Sequence, residues 1–167
     1  MGIRKTTILF VLSASVSIAV CGALPEMFYT DWGKAKTAAE KQDKPLYVHF
    51  TTEWCGWCRK IENEVYDSER GQAALKPFIP VSLDCTKRNK EGQALKEAES
   101  NRALMNKWGG SGYPFLAQAT AEGIVFNTWS GYKPVPAFEK ELRKALNKLQ
   151  EYREFEQISV AKNKKDY

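Results

Sequence analysis

A short run of strand-forming residues leads directly into a pair of cysteines, and this arrangement constrains the fold more than any other part of the sequence. Residues 46–51 are rich in β-branched and aromatic side chains, which favours a buried strand. The cysteine pair follows within Trp54-Cys55-Gly56-Trp57-Cys58, and Ile61 and Val65 then recur at helical spacing. The sequence therefore predicts a strand, a Cys-x-x-Cys and a helix in immediate succession.

This placement has a chemical consequence for the first cysteine. The free N–H groups and the dipole at a helix N-terminus stabilise a thiolate and so lower the pKa of its thiol. We expect an exposed Cys55 to attack a disulfide as the nucleophile. Cys58, one turn inside the helix and buried, would resolve the mixed disulfide that forms.

Two other uses of the same residues remain open. Cys55, Cys58, Cys85 and His49 together have the composition of a Cys₃His zinc site, although the last two lack a close spacing. Alternatively, the disulfide is only structural, and Trp54, Trp57 and Tyr113 form the surface of a peptide-binding module.

Residues 1–23 have the pattern of a secretory signal peptide. Arg4 and Lys5 precede a serine-diluted apolar stretch, and Gly22 and Ala23 offer small residues for cleavage. A bacterial lipoprotein signal with Cys21 as the lipidated residue is an alternative, and a retained membrane anchor is another. Export would place the remaining thiols in an oxidising compartment. There Cys85 is either a regulatory or dimer-forming thiol or, as we prefer, a semi-buried small residue.

Length and charge limit the remaining possibilities. The 167 residues suffice for one domain, which we place at residues 24–157, followed by a flexible basic tail at 158–167. The net charge is +5, and it falls to +3 without Arg4 and Lys5. Basic and acidic residues are interleaved, so we expect no nucleic-acid partner.

The other periodic segments predict an α/β fold with helices on both faces of a mixed sheet. We expect helices at 33–42, where Asp31 is the N-cap, from Cys58 to residue 75, at 102–108 and at 138–155. Further strands are expected at 77–84, 115–120 and 124–130, and the charged segment 86–99 is read as a loop or an exposed helical insert.

Three segments resemble the thioredoxin family in order and spacing over residues 34–149. The WCGWC stretch is similar to the thioredoxin active-site motif, with Trp57 where thioredoxin has proline. Tyr113-Pro114 resembles the cis-proline loop, and Ser130-Gly131-Tyr132 resembles the turn before the last helix. Lys44-Pro45 and Trp57 resemble the thioredoxin-like domains of exported bacterial proteins, including the soluble C-terminal domain of periplasmic thiol–disulfide transporters. The chain does not resemble the oxidising periplasmic family, which has a large helical insertion and a different dipeptide between the cysteines.

The resemblance implies a thioredoxin fold with about four to five strands and a protein disulfide reductase or isomerase, periplasmic or secreted, without a cofactor. It implies a Cys55–Cys58 disulfide and a cis Pro114 that, with Tyr113, offers strand-like hydrogen bonds to an extended substrate. Trp54, Gly56 and Trp57 would complete the substrate surface. The partners would be protein or peptide disulfides and a membrane-bound electron donor, and the protein a monomer.

His49 stands where thioredoxin has a buried acid, six residues before the first cysteine. One hypothesis is that neutral His49 accepts the proton of Cys58 during resolution, since imidazole suits this exchange near pH 7. The other is that His49 is a packed strand residue bonded to a neighbour.

Overall fold

The computed structural model describes residues 24–163, with side chains to residue 157, and shows a four-stranded mixed sheet between two layers of helices. Strand β1 (Leu46–Thr51) pairs parallel with β2 (Ile79–Asp84) and antiparallel with β3 (Phe115–Ala119). Strand β4 (Val125–Ser130) pairs antiparallel with β3, giving the order β2-β1-β3-β4. The predicted α/β architecture with a mixed sheet is confirmed.

The alternation of side chains along β1 divides the core in two. Leu46, Val48 and Phe50 face α1 (Trp32–Gln42) and α4 (Gly92–Lys107). Tyr47 faces the other layer, which contains α2 (Gly56–Ile61), a π-helix (Glu62–Tyr66), α3 (Glu69–Leu75) and α5 (Val135–Asn163). Because successive strand residues point to opposite faces of the sheet, β1 contributes side chains to the core on both sides.

The predicted helix from Cys58 to residue 75 is wrong in one respect, since it is three elements and not one. The N–H of Asp67 donates to Glu62 O, five residues back (3.1 Å), which closes the π-helix. A new α-helix then begins after Ser68. The Ser68 hydroxyl accepts the N–H of Gly71 (3.0 Å) and donates to the carbonyl of Val65 (2.7 Å). This N-cap begins α3.

Two other boundaries differ from the sequence prediction. Most of the charged segment after Cys85 belongs to α4, which is one continuous helix with Ala98 and Met105, seven residues apart, buried on the same face. Helix α5 continues to Asn163, past the expected end at residue 155 and into the segment expected to be a tail. No glycine or proline interrupts it after Pro136, and side-chain pairs such as Gln150–Glu154 (3.0 Å) span its exposed turns.

The predicted leader, with Cys21, and the end of the predicted tail lie outside the described residues. The domain limits at 24 and 157 therefore stay a prediction. Within residues 24–163, no helix is both long and apolar enough to cross a membrane.

Candidate active site

The cysteine pair lies where β1 passes into α2, and it forms a disulfide. Cys55 is the N-cap of α2, and its Sγ accepts the N–H of Cys58 at 3.1 Å. Cys58 is 1% exposed, as expected, but Cys55 is only 4% exposed, so its predicted exposure is wrong for the oxidised form. The reason is that the Cys55 sulfur is bonded to Cys58 and turned over the helix end, where it caps a main-chain amide.

The loop that presents the disulfide is tied to the end of β2. The N–H of Glu53 donates to Thr86 Oγ1 (2.8 Å), and the guanidinium of Arg59 donates to the Glu53 carbonyl (2.8 Å). The N–H of Cys85 donates to Thr51 O at 2.8 Å. These bonds hold the start of α2 against the sheet edge, which preorganises the reactive sulfurs.

The predicted proline loop lies immediately before β3. The Tyr113–Pro114 peptide bond is cis, as the sequence led us to expect. The carbonyl of Pro114 accepts the N–H of Gly131 at 2.9 Å, which joins this loop to the end of β4. The ring of Tyr113 meets that of Trp54 edge-on, with centroids 5.7 Å apart. The structure thus brings the proline loop to the residue that precedes Cys55.

The two tryptophans of the motif are exposed, Trp54 by 66% and Trp57 by 59%. Trp57 stacks on Tyr132, a residue whose contact with the motif the sequence reasoning did not anticipate. A Cβ at Gly56, between the tryptophans and next to Cys55, would meet no atom within 4 Å. Glycine there is not required by packing, and it leaves that part of the surface without a side chain.

His49 lies on the β1 face that points toward α2 and the π-helix, as predicted, and is fully buried. Its ring packs against that of Tyr66, and neither ring nitrogen has a hydrogen-bond partner among the described residues. Burial lowers the pKa of His49 to about 3, because the apolar surroundings penalise the charged imidazolium. His49 is therefore neutral near pH 7, but it is a weaker base than the sequence argument assumed.

Glu62 is a second titratable group here, which the sequence reasoning missed. Its Oε1 lies 3.8 Å from His49 Nδ1, and its side chain is 16% exposed. Desolvation raises the pKa of Glu62, against the opposing effect of nearby Arg59. It also lines a cavity of about 350 Å³ with Thr51 and Asp84. Its position four residues after Cys58, on the helix face that turns inward, was the available signal.

Cys85 is buried at the end of β2, which agrees with our preferred reading of this residue. It is 2% exposed, and burial raises the pKa of its thiol to about 11. The zinc alternative requires Cys85 and His49 to join the cysteine pair. No three His, Cys, Asp or Glu side chains in the described part of the chain are grouped to hold a metal ion, and the paired thiols are bonded to each other.

Comparisons with known proteins agree with this geometry. A family model described as a thioredoxin-like domain matches residues 32–146. The fold is similar to that of "DsbH Oxidoreductase", with a TM-score of 0.62 and 19% identity over 84% of this chain and 95% of that one. A putative disulphide-isomerase from Bacteroides thetaiotaomicron gives a TM-score of 0.58 and 24% identity over 77% of this chain and 97% of that one.

The oxidised C-terminal domain of DsbD from Neisseria meningitidis gives a TM-score of 0.53 and 16% identity over 71% of this chain and 98% of that one. No curated protein matches the sequence significantly. At these identities the structural likeness establishes the fold. The family match, which spans well over half of the sequence, establishes more: the chain belongs to the thioredoxin-like domain family.

Proposed function

We propose that this protein is an exported thiol–disulfide oxidoreductase that acts as a protein disulfide reductase or isomerase. The observation that carries the proposal is the Cys55–Cys58 disulfide at the N-terminus of α2, with Cys55 Sγ accepting the first-turn amide of Cys58. The same amide can stabilise a thiolate at Cys55 once the disulfide is reduced.

The reaction begins with the reduced protein. The Cys55 thiolate attacks one sulfur of the substrate disulfide, and the other substrate sulfur leaves as a thiolate. The Cys58 thiol then loses its proton, and its thiolate attacks Cys55 Sγ in the mixed disulfide. The second substrate sulfur leaves, so two electrons have passed to the substrate and the Cys55–Cys58 disulfide has re-formed.

Substrate binding is assigned to the residues around the disulfide. Tyr113 and Pro114 form a bend directly before β3 and beside Trp54, and we assign to the main chain of this loop the pairing with an extended substrate polypeptide. Trp57 and the open surface at Gly56 complete the contact area. The fold shared with a DsbH oxidoreductase and a DsbD C-terminal domain is consistent with disulfide substrates and a thiol–disulfide electron donor that restores the dithiol. We assign that donor to the membrane from the family resemblance of the sequence.

Turnover with a protein disulfide tests the proposal. With a chemical reductant in excess, the wild type should reduce insulin catalytically, and Cys55→Ser should not. Cys58→Ser should accumulate a mixed disulfide at Cys55, which mass spectrometry would detect. A wild type that binds peptides but shows no turnover would instead establish the binding module with a structural disulfide.

The direction of catalysis is tested by the reduction potential of the Cys55–Cys58 pair against glutathione. A value near that of glutaredoxins or lower, about −200 mV or below, supports a reductase. A value near −120 mV, as in a strong oxidant, would refute it.

The proton acceptor for Cys58 is assigned to His49 or to the partly buried Glu62 beside it. Desolvation raises the pKa of Glu62 and burial lowers that of His49, so the Glu62 carboxylate is the stronger base of the two. The rate of mixed-disulfide resolution should be measured from pH 6 to pH 9 in His49→Ala and Glu62→Gln. An unchanged pH profile in one variant excludes the substituted residue as the proton acceptor. Unchanged profiles in both variants exclude both residues.

Export is proposed from residues 1–23 alone. Mass spectrometry of the mature N-terminus after expression in a bacterium separates the alternatives. Cleavage after Gly22 or Ala23 supports a soluble periplasmic or secreted protein, and a lipid on Cys21 supports an anchored one.

A further inference from the structure

Trp57 belongs to a preorganised cluster that the reaction steps above do not use. Its ring stacks on that of Tyr132, with centroids 6.1 Å apart and planes 29° apart. The ammonium of Lys60 lies 5.7 Å from the Trp57 ring centre and 5.0 Å from that of Tyr132. The Tyr132 hydroxyl donates to Glu64 at 2.6 Å. We call these two rings with Lys60 the aromatic platform.

The platform leaves a large apolar surface in water at a fixed place. Only Trp54, Trp57, Ile124 and Phe155 are exposed large hydrophobic residues among those described, and two of the four flank Cys55. Both have supports, since Trp54 meets Tyr113 and Trp57 meets Tyr132. Rigid, exposed aromatic side chains of this kind are the usual anchors of protein recognition, because they bury much area at little entropic cost.

The charged side chains near the platform already have partners within the protein, and this indicates the kind of ligand that the platform suits. Lys60 is 3.6 Å from Glu64, and the Arg59 guanidinium donates to a main-chain carbonyl. The Trp57 side chain contacts Tyr132 and Lys60 and nevertheless stays 59% exposed. An apolar side chain, and an aromatic one above all, therefore suits this surface better than a charged one.

We propose that the aromatic platform is a specificity subsite that binds an aromatic side chain close to the reacting cysteine of the substrate. This inference rests on the proposed function and adds a substrate preference to it. Trp57 stacks on Tyr132 whereas Trp54 meets Tyr113, so the subsite consists of different side chains from the contact made at the proline loop.

The test compares three short peptides whose single cysteine carries a thionitrobenzoate leaving group. One peptide has Phe two residues before the cysteine, one has Phe two residues after it, and one has Ser at both positions. Reduced protein forms a Cys55–peptide disulfide and releases coloured thionitrobenzoate. The ratio of the Phe and Ser rate constants for each variant cancels any change in thiol pKa or potential.

The wild type should react about three- to tenfold faster with at least one Phe peptide than with the Ser peptide, as expected for one aromatic pair. Trp57→Ala and Tyr132→Ala should bring that ratio close to one. Tyr132→Phe, which keeps the ring, should retain most of the preference. Phe155 is a still more exposed aromatic residue (71%) on α5 outside the site, and Phe155→Ala should leave the ratio unchanged.

The failures of the two proposals are distinguishable. Ellman's reagent, a small disulfide without a peptide, measures thiol reactivity in the absence of any substrate side chain, and mass spectrometry assigns the adduct to Cys55. If neither it nor any peptide reacts at Cys55, the oxidoreductase function is refuted. If Ellman's reagent reacts but the wild type does not prefer Phe, or if only Trp54→Ala abolishes the preference, the subsite is refuted and the function stands.

Discussion

Acidification should destabilise this protein through His49, beginning at a higher pH than that at which ordinary carboxylates titrate. The side chain is fully buried without a hydrogen-bond partner among the described residues, and burial lowers its pKa to about 3 from an ordinary 6.5. In the unfolded chain the imidazole binds a proton at the higher pH. Unfolding therefore takes up a proton between pH 6.5 and pH 3, and stability falls as the pH falls through that window.

The size of the effect follows from the two pKa values. The full difference between them corresponds to about 5 kcal/mol, reached only near pH 3. Between pH 7 and pH 5, His49 alone should lower the free energy of unfolding by about 2 kcal/mol. Above pH 7 its contribution is constant, because both states then hold neutral imidazole.

Urea denaturation of the oxidised protein at pH 7, 6 and 5, followed by tryptophan fluorescence, measures how the free energy of unfolding changes with pH. His49→Gln and His49→Leu change stability at every pH, but both should lose the fall of about 2 kcal/mol between pH 7 and pH 5. Glu62→Gln controls for the neighbouring carboxyl and should retain most of the fall. Equal pH dependence in the wild type and both His49 variants would refute the argument.

Three further predictions concern packing and reactivity. Gly71→Ala should lower the free energy of unfolding by about 2–3 kcal/mol, because the new Cβ would lie 1.8 Å from a π-helix carbonyl oxygen; Gly56→Ala, with open space, is the control in urea denaturation. Tyr47→Phe should cost about 1–3 kcal/mol in the same assay, since it leaves the buried Tyr66 hydroxyl without its 2.7 Å partner, and the double Phe variant should recover part of that loss. Cys85, with its thiol pKa at about 11, should react with iodoacetamide at pH 8 about two orders of magnitude more slowly than a free cysteine, as mass spectrometry of the oxidised protein would show.

Local patterns predicted most of the elements that build the site. Asp31 was expected to cap α1, and its carboxylate accepts the N–H of Lys34 at 2.7 Å. The run at residues 46–51 is β1, with the expected bounds. These predictions succeed because a cap or an alternating strand depends on residues that are neighbours in the chain.

The π-helix could not be predicted in this way. The side chains of residues 62–66 suit a five-residue and a four-residue hydrogen-bond spacing equally, so only packing decides between them. That packing includes the buried Tyr66 against Tyr47 on β1. The close approach of Glu62 to His49 results from the same packing. The spacing of Glu62 from Cys58 indicated an inward-facing side chain, but it could not give this contact.

Pairings between distant segments were also beyond local reasoning. The stacking of Trp57 on Tyr132 depends on where β4 ends relative to α2. The burial of Cys55 depends on the direction of its sulfur, which residue type does not determine. The family resemblance predicted the cis bond before Pro114. It carried no information about His49 and Trp57, which stand where thioredoxin has other residues.

The hydrogen bond from the Gly131 N–H to the Pro114 carbonyl has a mechanical consequence. One of the two loops it joins carries Tyr113, which supports Trp54, and the other carries Tyr132, which supports Trp57. This main-chain contact involves neither sulfur of the disulfide. We therefore expect the two tyrosines that support the tryptophans to keep their spacing when the disulfide is reduced and re-formed.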